Sequence, residues 1–501
     1  MSDSHAYELA EILKILNAVT NKTLGEVDSK HVFNRTIEKP KITGIAGDVI
    51  EQSVLGYPAD SDQRPDLEID GILIELKTTG IRENKRNGEI EAKEPASITA
   101  VSIDSIAKEE FEESSFWHKT AHMLFVFYHY DSKKTVKAAD YADFYIRGFQ
   151  FFNFEGETKD ILESDWRKVH DYILGIQAKY DAEEAKKYYP DLSSVINKQL
   201  VYLDTAPKYP HPPRFRFRRR FVTKLVQDKF GKKLETLPDV YLGYNEIYKK
   251  CHDLTSQYKG KTFEQLCEIF DIDISGKTTK QIKSYTEMIV VKMFGGSSSK
   301  ISKIDLFRDF GLIGKTIAIT SSGGRTEDMK LASVDFEEVE RKPFFEISAN
   351  DDDEDVESDL YSYLHDHKLL CIVFKEQPHK SKESADLRKN VFEGFKVVEL
   401  DDSDILQNAE KTWNQVQTLI KTKSLKSTPV LTKDGKERIN KNGVTMEATN
   451  LPKSKEYLIF LRGTGKDSSS KILVQGVSIL RQNFWIRGSY IVEQLKSINY
   501  L

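Results

Sequence analysis

Apolar and polar positions alternate on both sides of Asp70-Gly71 across residues 64–79, RPDLEIDGILIELKTT. Period-two alternation around a two-residue Asp-Gly loop predicts a β-hairpin with a tight turn. In that register, positions whose numbers sum to 141 face each other, so Asp66 lies opposite Glu75. Alternation then puts Lys77 on the face of Glu75, with Ile74 and Leu76 on the other. The second strand, ILIEL, is nearly all apolar and is expected to be buried on both faces.

The pattern continues outward from this hairpin. Residues 6–19 carry apolar positions at helical spacing. Residues 43–55 predict a second helix, with Thr43 as its cap, an apolar face of Ile45, Val49, Ile50 and Val54, and Gly56 as its stop. Beyond the hairpin, IRENKRNGE (81–89) is a candidate phosphate-contacting loop, 97–106 a strand, and 116–122 a helical or turn segment. MLFVFYHY (from 123) and GFQFFNF (148–154) read as strands, and DWRKVHDYILG (165–175) as a helix.

Many of these patterns recur. KTLGEV (22–27) returns as KTFEQL (261–266), IEQSVLG (50–56) as IVVKMFG (289–295), and LIELKTT (73–79) as GLIGKTI (311–317). MLFVFY (123–128) returns as LLCIVF (369–374), GFQFFNF as GFKVVEL (394–400), the Trp166 helix around Trp413, and FRFRRRFV (215–222) as FWIRGSYI (484–491). Conserved order and nearly constant spacing predict two copies of one domain. The expected division is 1–226, a connecting segment 227–258 and a second copy 259–501. In the second copy Glu51 aligns with Val290, Glu75 with Ile313 and Lys119 with His365, while Lys77 persists as Lys315 and Asp305 is a candidate for the Asp66 position.

Composition narrows the class. At 501 residues the chain is long enough for two or more domains, each with a core of its own. No apolar run approaches the roughly 18 residues of a membrane span, and the acidic N-terminus lacks the features of a secretory signal, so a soluble cytoplasmic protein is expected. Three widely spaced cysteines, Cys251, Cys267 and Cys371, suggest neither a disulfide framework nor a zinc cluster. A net charge of −5 argues against nonspecific coating of nucleic acid. Charge is concentrated instead: residues 214–220, RFRFRRR, hold five arginines, and 351–359, DDDEDVESD, read as a solvated acidic loop.

On the hairpin, a buried Glu75 needs a compensating cation. A divalent metal held by Asp66, Glu75 and a backbone carbonyl supplies one, and all-oxygen ligation suits Mg²⁺. Lys77 beside it is placed to orient or deprotonate an attacking water. Asp, Glu and Lys on the wet face of an amphipathic hairpin are the ordinary alternative.

Pro65-Asp66 followed by Glu75-Leu76-Lys77 is the PD-(D/E)xK pattern of metal-dependent nucleases, and two further stretches resemble one branch of it. TGIAGDVIEQSVLG (43–56) and ESSFWHKTAHMLFVFYHYD (113–131) are similar to the corresponding segments of MutH, the GATC-directed endonuclease of mismatch repair, and of the MutH-like type II restriction endonucleases. The resemblance extends over essentially the whole chain. It implies an α/β restriction-endonuclease-like fold, a mixed sheet flanked by helices and duplicated as a tandem pseudo-dimer. It further implies a catalytic set of Glu51, Asp66, Glu75, Lys77 and Lys119, with Asp66, Glu75 and Glu51 as metal ligands. The Asp66-to-Glu75 gap is two residues longer than the family leads one to expect, which makes Glu68 a rival to Asp66, although Asp66 keeps the Pro-Asp context.

In the basic cluster, Phe215 and Phe217 are expected inward and Arg216 and Arg218 outward, making Arg214, Arg216, Arg218, Arg219 and Arg220, with Arg487 of the second copy, candidate DNA contacts. A solvated, charge-guarded edge strand is the alternative. The reading that results is a Mg²⁺-dependent type II restriction endonuclease cutting double-stranded DNA at GATC, monomeric in solution and able to dimerise on DNA. A partner-activated mismatch-repair nickase and a non-catalytic DNA-binding regulator are the competing readings.

Overall fold

The computed structural model describes residues 5–40, 42–58, 64–84, 88–132, 136–231, 233–320, 327–347, 356–377, 386–439, 445–465 and 471–501. The fold is mixed α/β. In the N-terminal half the chain runs β1 (Ala6–Tyr7), α1 (Leu9–Val19), α2 (Leu24–Val27), α3 (Ile45–Val49), β2 (Leu67–Ile69), β3 (Ile72–Glu83), β4 (Ile90–Ala92), β5 (Ala96–Ala100), α4 (Ser115–Thr120), β6 (His122–His129), β7 (Tyr145–Asn153), α5 (Glu157–Lys179), β8 (Leu203–Ala206), β9 (Arg214–Phe217) and α6 (Arg219–Phe230).

The main sheet has the order β1-β2-β3-β6-β7, with β4 also paired to β3. β3 and β6 are parallel, whereas β2-β3 and β6-β7 are antiparallel. The hairpin has the predicted register: Leu67 faces Ile74, Glu68 faces Leu73 and Ile69 faces Ile72. Asp70 and Gly71 both have positive φ, 50° and 81°, as a tight two-residue hairpin turn requires. The expectation of burial along all of ILIEL holds only for its second part. Ile72 and Leu73, at the tip of the hairpin beyond the covering helices, are 48% and 46% exposed, whereas Ile74, Glu75 and Leu76 are buried.

Alternation along β3 splits its side chains between two layers. Ile74 and Leu76 join Leu124 and Val126 of β6 under α1 and α3, where Ile12, Leu16, Val49 and Ile50 complete an apolar cluster. Ile81, Phe125 and Phe127 face the opposite layer with Trp166 of α5 and Phe217 of β9. Glu75 and Lys77 share the parity of Ile81, so a carboxylate and an ammonium sit at one end of an otherwise apolar face.

The C-terminal half contains α7 (Tyr244–Tyr258), α8 (Phe263–Ile269), α9 (Tyr285–Met293), α10 (Asp305–Asp309), β10 (Leu312–Ile319), β11 (Met329–Ser333), α11 (Asp359–Asp366), β12 (Lys368–Lys375), β13 (Val391–Glu399), α12 (Ser403–Lys421), β14 (Ile459–Gly463), β15 (Gln482–Ile486) and α13 (Gly488–Ser497). β10 and β12 are parallel and β12 and β13 antiparallel, the sense of β3, β6 and β7. Lys315 pairs with Cys371 as Lys77 pairs with Phe125, and both antiparallel pairs carry a register shift at the same place, between Phe127 and Tyr128 and between Val373 and Phe374. The small sheets β5-β9-β8 and β11-β15-β14 also share their order. The capping box of Thr23 and Glu26 on α2 has its counterpart in Thr262 and Gln265 on α8.

One organisational expectation is refined. The segment 227–258 is not a loose connector: it contains the end of α6 and all of α7, whose Ile247, Cys251 and Leu254 are buried. Each half has an apolar cluster of its own, and a third joins the two halves, including Phe125 and Trp166 of the first together with Leu312, Leu370 and Phe395 of the second. The apolar face of α7 bridges them, which is why a Lys-rich and Tyr-rich stretch that looks polar in sequence is structural. No helix among the described residues is long and apolar enough to cross a membrane, and Cys251, Cys267 and Cys371 are free and buried.

Candidate active site

The tight turn places Asp66 just before β2, where its Oδ2 accepts a 2.8 Å hydrogen bond from the Leu76 amide. That bond pins Asp66 to β3 beside Glu75. The Glu75 side chain is 1% exposed; its Oε1 accepts from Lys77 Nζ at 2.7 Å and lies 3.6 Å from Lys119 Nζ. Lys119 arrives from α4, a six-residue helix started by Ser114, whose Oγ accepts from the Trp117 amide at 3.0 Å. Two strands and one short helix thus bring a carboxylate pair and two ammoniums together.

Burial pushes the Glu75 carboxyl above its ordinary value, and Asp66 adds to the push, against the opposing pull of Lys77 and Lys119. Burial alone would depress the Lys77 ammonium, but Glu75, Asp66 and Glu51 overcome it and hold it above its usual range. Lys77 is therefore held as an ammonium beside the two carboxylates.

Glu51 enters from the other layer. α3 continues into a π-helical turn, Ile50–Leu55, which ends at Gly56 with φ 90°; its N-cap is Gly44, not Thr43. Such local widenings of a helix are frequent at functional sites. The Glu51 carboxyl is pushed up to about 7, first by burial, then by Asp66 and Asp48, with Lys77 opposing. The sign for stability follows. A carboxyl that resists ionisation in the fold but ionises at its ordinary 4.5 in the unfolded chain gives stability that is lost as pH rises from about 4.5 through about 7. Glu51→Gln is therefore expected to make the metal-free protein about 1–3 kcal/mol more stable at pH 8 and to leave it unchanged near pH 4.5, measurable by urea denaturation at both values.

The donors suit a hard divalent cation. All are carboxylate oxygens, two of the groups have raised pKa values that signal insufficient nearby positive charge, and Glu75 Oε2 is buried without a hydrogen-bond partner. As the side chains stand, no three His, Cys, Asp or Glu residues among those described are gathered closely enough to enclose an ion. Glu68 points into solvent from β2, so of the two rivals it is Asp66 that bonds to the backbone of the ExK strand. His122 is engaged with Asn153 at 3.1 Å and His118 is exposed. Of the candidate loop 81–89, residues 85–87 lie outside the described residues.

The basic cluster behaves differently from the sequence expectation. Phe215 and Phe217 are inward as predicted, but Arg216, Arg218 and Arg220 are buried too. Arg216 holds Asp204 through two bonds of 2.8 and 3.2 Å and reaches Glu357 at 3.4 Å. Arg218 donates to the Asn197 carbonyl and to Asp366 at 3.3 Å. Arg220 donates to the carbonyls of Val201 and Asp366, both at 2.6 Å, and of Asp309 at 3.0 Å. Arg219 is half-buried and holds Glu91 at 2.6 Å and the Ala92 carbonyl at 2.8 Å. These guanidinium groups face the C-terminal half, not a free groove. β9 is the central strand of its sheet, so both its edges are paired, and Glu357 and Asp366 of the C-terminal half lie against the arginines of β9 and the start of α6.

The end of the acidic run supplies partners rather than a solvated loop. Asp359 accepts from Arg82 at 2.8 and 2.9 Å, while residues 351–355 lie outside the described residues. Arg214 is half-buried and engaged, and Arg487 donates to the Tyr457 carbonyl at 2.9 Å. In the C-terminal half, Val290 is fully buried, Ile313 and Lys315 lie on β10, His365 is in the last turn of α11, and Asp305 opens α10 with Thr236 bound to it at 2.6 Å.

The sequence has known relatives. Residues 55–165, which span the hairpin and α4, match the family described as DNA mismatch repair enzyme MutH. The chain is also 23% identical over 488 residues to the type II restriction enzyme Sau3AI of Staphylococcus aureus, covering 90% of this chain and 92% of that one. The MutH match holds Asp66, Glu75, Lys77 and Lys119, and leaves Glu51 just outside it. With those residues inside the MutH match and a type II restriction enzyme similar along nearly the whole length, the chain is similar to the MutH-like restriction endonucleases and is a site-specific deoxyribonuclease.

Proposed function

We propose that the protein is a Mg²⁺-dependent type II restriction endonuclease that hydrolyses phosphodiester bonds of double-stranded DNA at GATC, the target of the enzymes it resembles. The observation that carries the reading is the buried Glu75 carboxylate held between Lys77 and Lys119 with Asp66 alongside. Asp66 and Glu75, joined by Glu51, hold the cation. When bound, Mg²⁺ polarises the scissile phosphate and neutralises charge on the leaving oxygen. Lys77 positions the attacking water, and Lys119, free to turn from Glu75 towards substrate, steadies the phosphate.

The second half is read as a degenerate copy, because Val290, Ile313 and His365 stand where the first half has Glu51, Glu75 and Lys119. The repeated strand sense, register and bulge support that reading. Its role is then to bind DNA or to tune the first half, and the molecule is read as a monomer that dimerises on DNA.

Incubating plasmid with Mg²⁺ or with chelator tests the proposal. Linear products with Mg²⁺ alone, whose sequenced ends fall at GATC, are the expected outcome. Nicked circles that need an added protein would favour the mismatch-repair nickase, and binding without any cleavage would favour a regulator.

A further inference from the structure

Tyr57 follows Gly56 at the end of the π-helical turn that carries Glu51. The ring is 4% exposed, and its hydroxyl is buried with no hydrogen-bond partner. Buried tyrosine hydroxyls normally find one. If the position needed only an aromatic filler, phenylalanine would serve without burying an unmatched polar atom.

The backbone explains where the ring is held. Gly56, at positive φ, turns the chain so that the amides of Gly56 and Tyr57 both bond the Glu51 carbonyl, at 2.8 and 3.3 Å. The ring then stacks on His5 with 4.4 Å between centroids, and His5 Nδ1 is 2.7 Å from the Asp66 carbonyl. Tyr57 is thus clamped between the segments that carry two of the three carboxylates. Burial first, then Glu51 and Asp66, push its phenol well above the ordinary value, so the hydroxyl stays a neutral donor.

We propose that Tyr57 is a positioning residue of the nuclease site, its hydroxyl donating to the Glu51 carboxylate when a divalent cation is bound. The proposal rests on the metal-dependent reading above. A donor to an ionised carboxylate favours its charged form and fixes its orientation. A ligand carboxylate needs its orientation fixed in this way by a neighbouring donor.

Tyr57→Phe keeps the ring and its stack on His5 and removes only the oxygen. In chelator, its melting temperature should equal or exceed that of the wild type, since an unmatched buried polar atom has been deleted. The Mg²⁺ concentration giving half of the metal-induced rise in melting temperature should increase about tenfold, and the Mg²⁺ midpoint for plasmid cleavage should move with it. KM for DNA at saturating Mg²⁺ should not change. Wild-type Mg²⁺ midpoints in both assays would overturn the proposal, as would a fall in metal-free melting temperature with the midpoints unmoved. Glu75→Ala run in parallel separates the two readings. Loss of cleavage there with wild-type behaviour in Tyr57→Phe sinks only the role of Tyr57, whereas persistent cleavage there sinks the nuclease site itself.

Discussion

Glu75→Ala is expected to reduce Mg²⁺-dependent cleavage by roughly four orders of magnitude, the scale on which loss of an essential group leaves only residual activity. Glu75 is the point where the site's interactions converge. Its Oε1 faces both Lys77 and Lys119, its Oε2 is buried and unpaired, and it sits across the hairpin from Asp66. Alanine removes the proposed cation ligand and at the same time leaves two ammoniums near each other without the carboxylate between them. Lys77 loses its principal counter-charge and with it the geometry that aims it. DNA binding should survive, because sequence reading by a nuclease is spread over contacts outside the carboxylate cluster. Gel-shift titration in Ca²⁺ beside plasmid cleavage in Mg²⁺ reads both effects. Cleavage within tenfold of wild type would remove Glu75 from the site, and loss of specific binding would make its role structural.

The elements of this site were legible in sequence because they depend on local rules. Asp-Gly permits the positive φ values of a two-residue turn, and once that turn is fixed, the pairing of Leu67 with Ile74 and the placement of Asp66 near Glu75 follow from a period of two. The Phe125-Phe127 strand was readable as buried because nothing polar interrupts it. Three features were not readable, each for a physical reason. The π-helical turn at Ile50–Leu55 leaves no mark on an apolar periodicity that suits an ordinary helix over a few residues. Tyr57 gained its place from the backbone turn at Gly56 and from stacking on His5, a contact over 52 positions that no pattern encodes. The arginines of β9 misled most. Alternating Phe and Arg on a strand reads as one buried and one wet face, but the C-terminal half lies against β9 and the start of α6, so Arg216, Arg218 and Arg220 are buried as well and matched by Asp204, Asp366 and backbone carbonyls.

That burial changes what removing an arginine should do. Arg220→Ala is expected to destabilise the protein by about 3–5 kcal/mol, the usual cost of breaking a buried, hydrogen-bonded charge network from one side. Arg220 is 7% exposed and donates to the carbonyls of Val201 in one half and of Asp309 and Asp366 in the other, with the Tyr244 hydroxyl at 3.3 Å. Alanine fills none of these bonds, and each uncovered carbonyl remains in the seam. Burial alone would raise the Asp366 carboxyl, but Arg218 and Arg220 hold it below its ordinary value, so the variant also leaves that carboxylate with less compensation. The exposed pair Lys496 and Glu493, at 2.7 Å, is the control: Lys496→Ala should cost no more than about 1 kcal/mol. Denaturant unfolding measures the loss, and the salt dependence of DNA binding by the folded fraction identifies its origin. A side chain that neutralises a phosphate lowers the slope of log K against log salt by about one when removed, whereas a residue of the seam leaves that slope where it was. Unchanged stability together with a shallower slope would return Arg220 to the DNA interface. A lower denaturation midpoint with the slope preserved establishes it as a clamp between the halves.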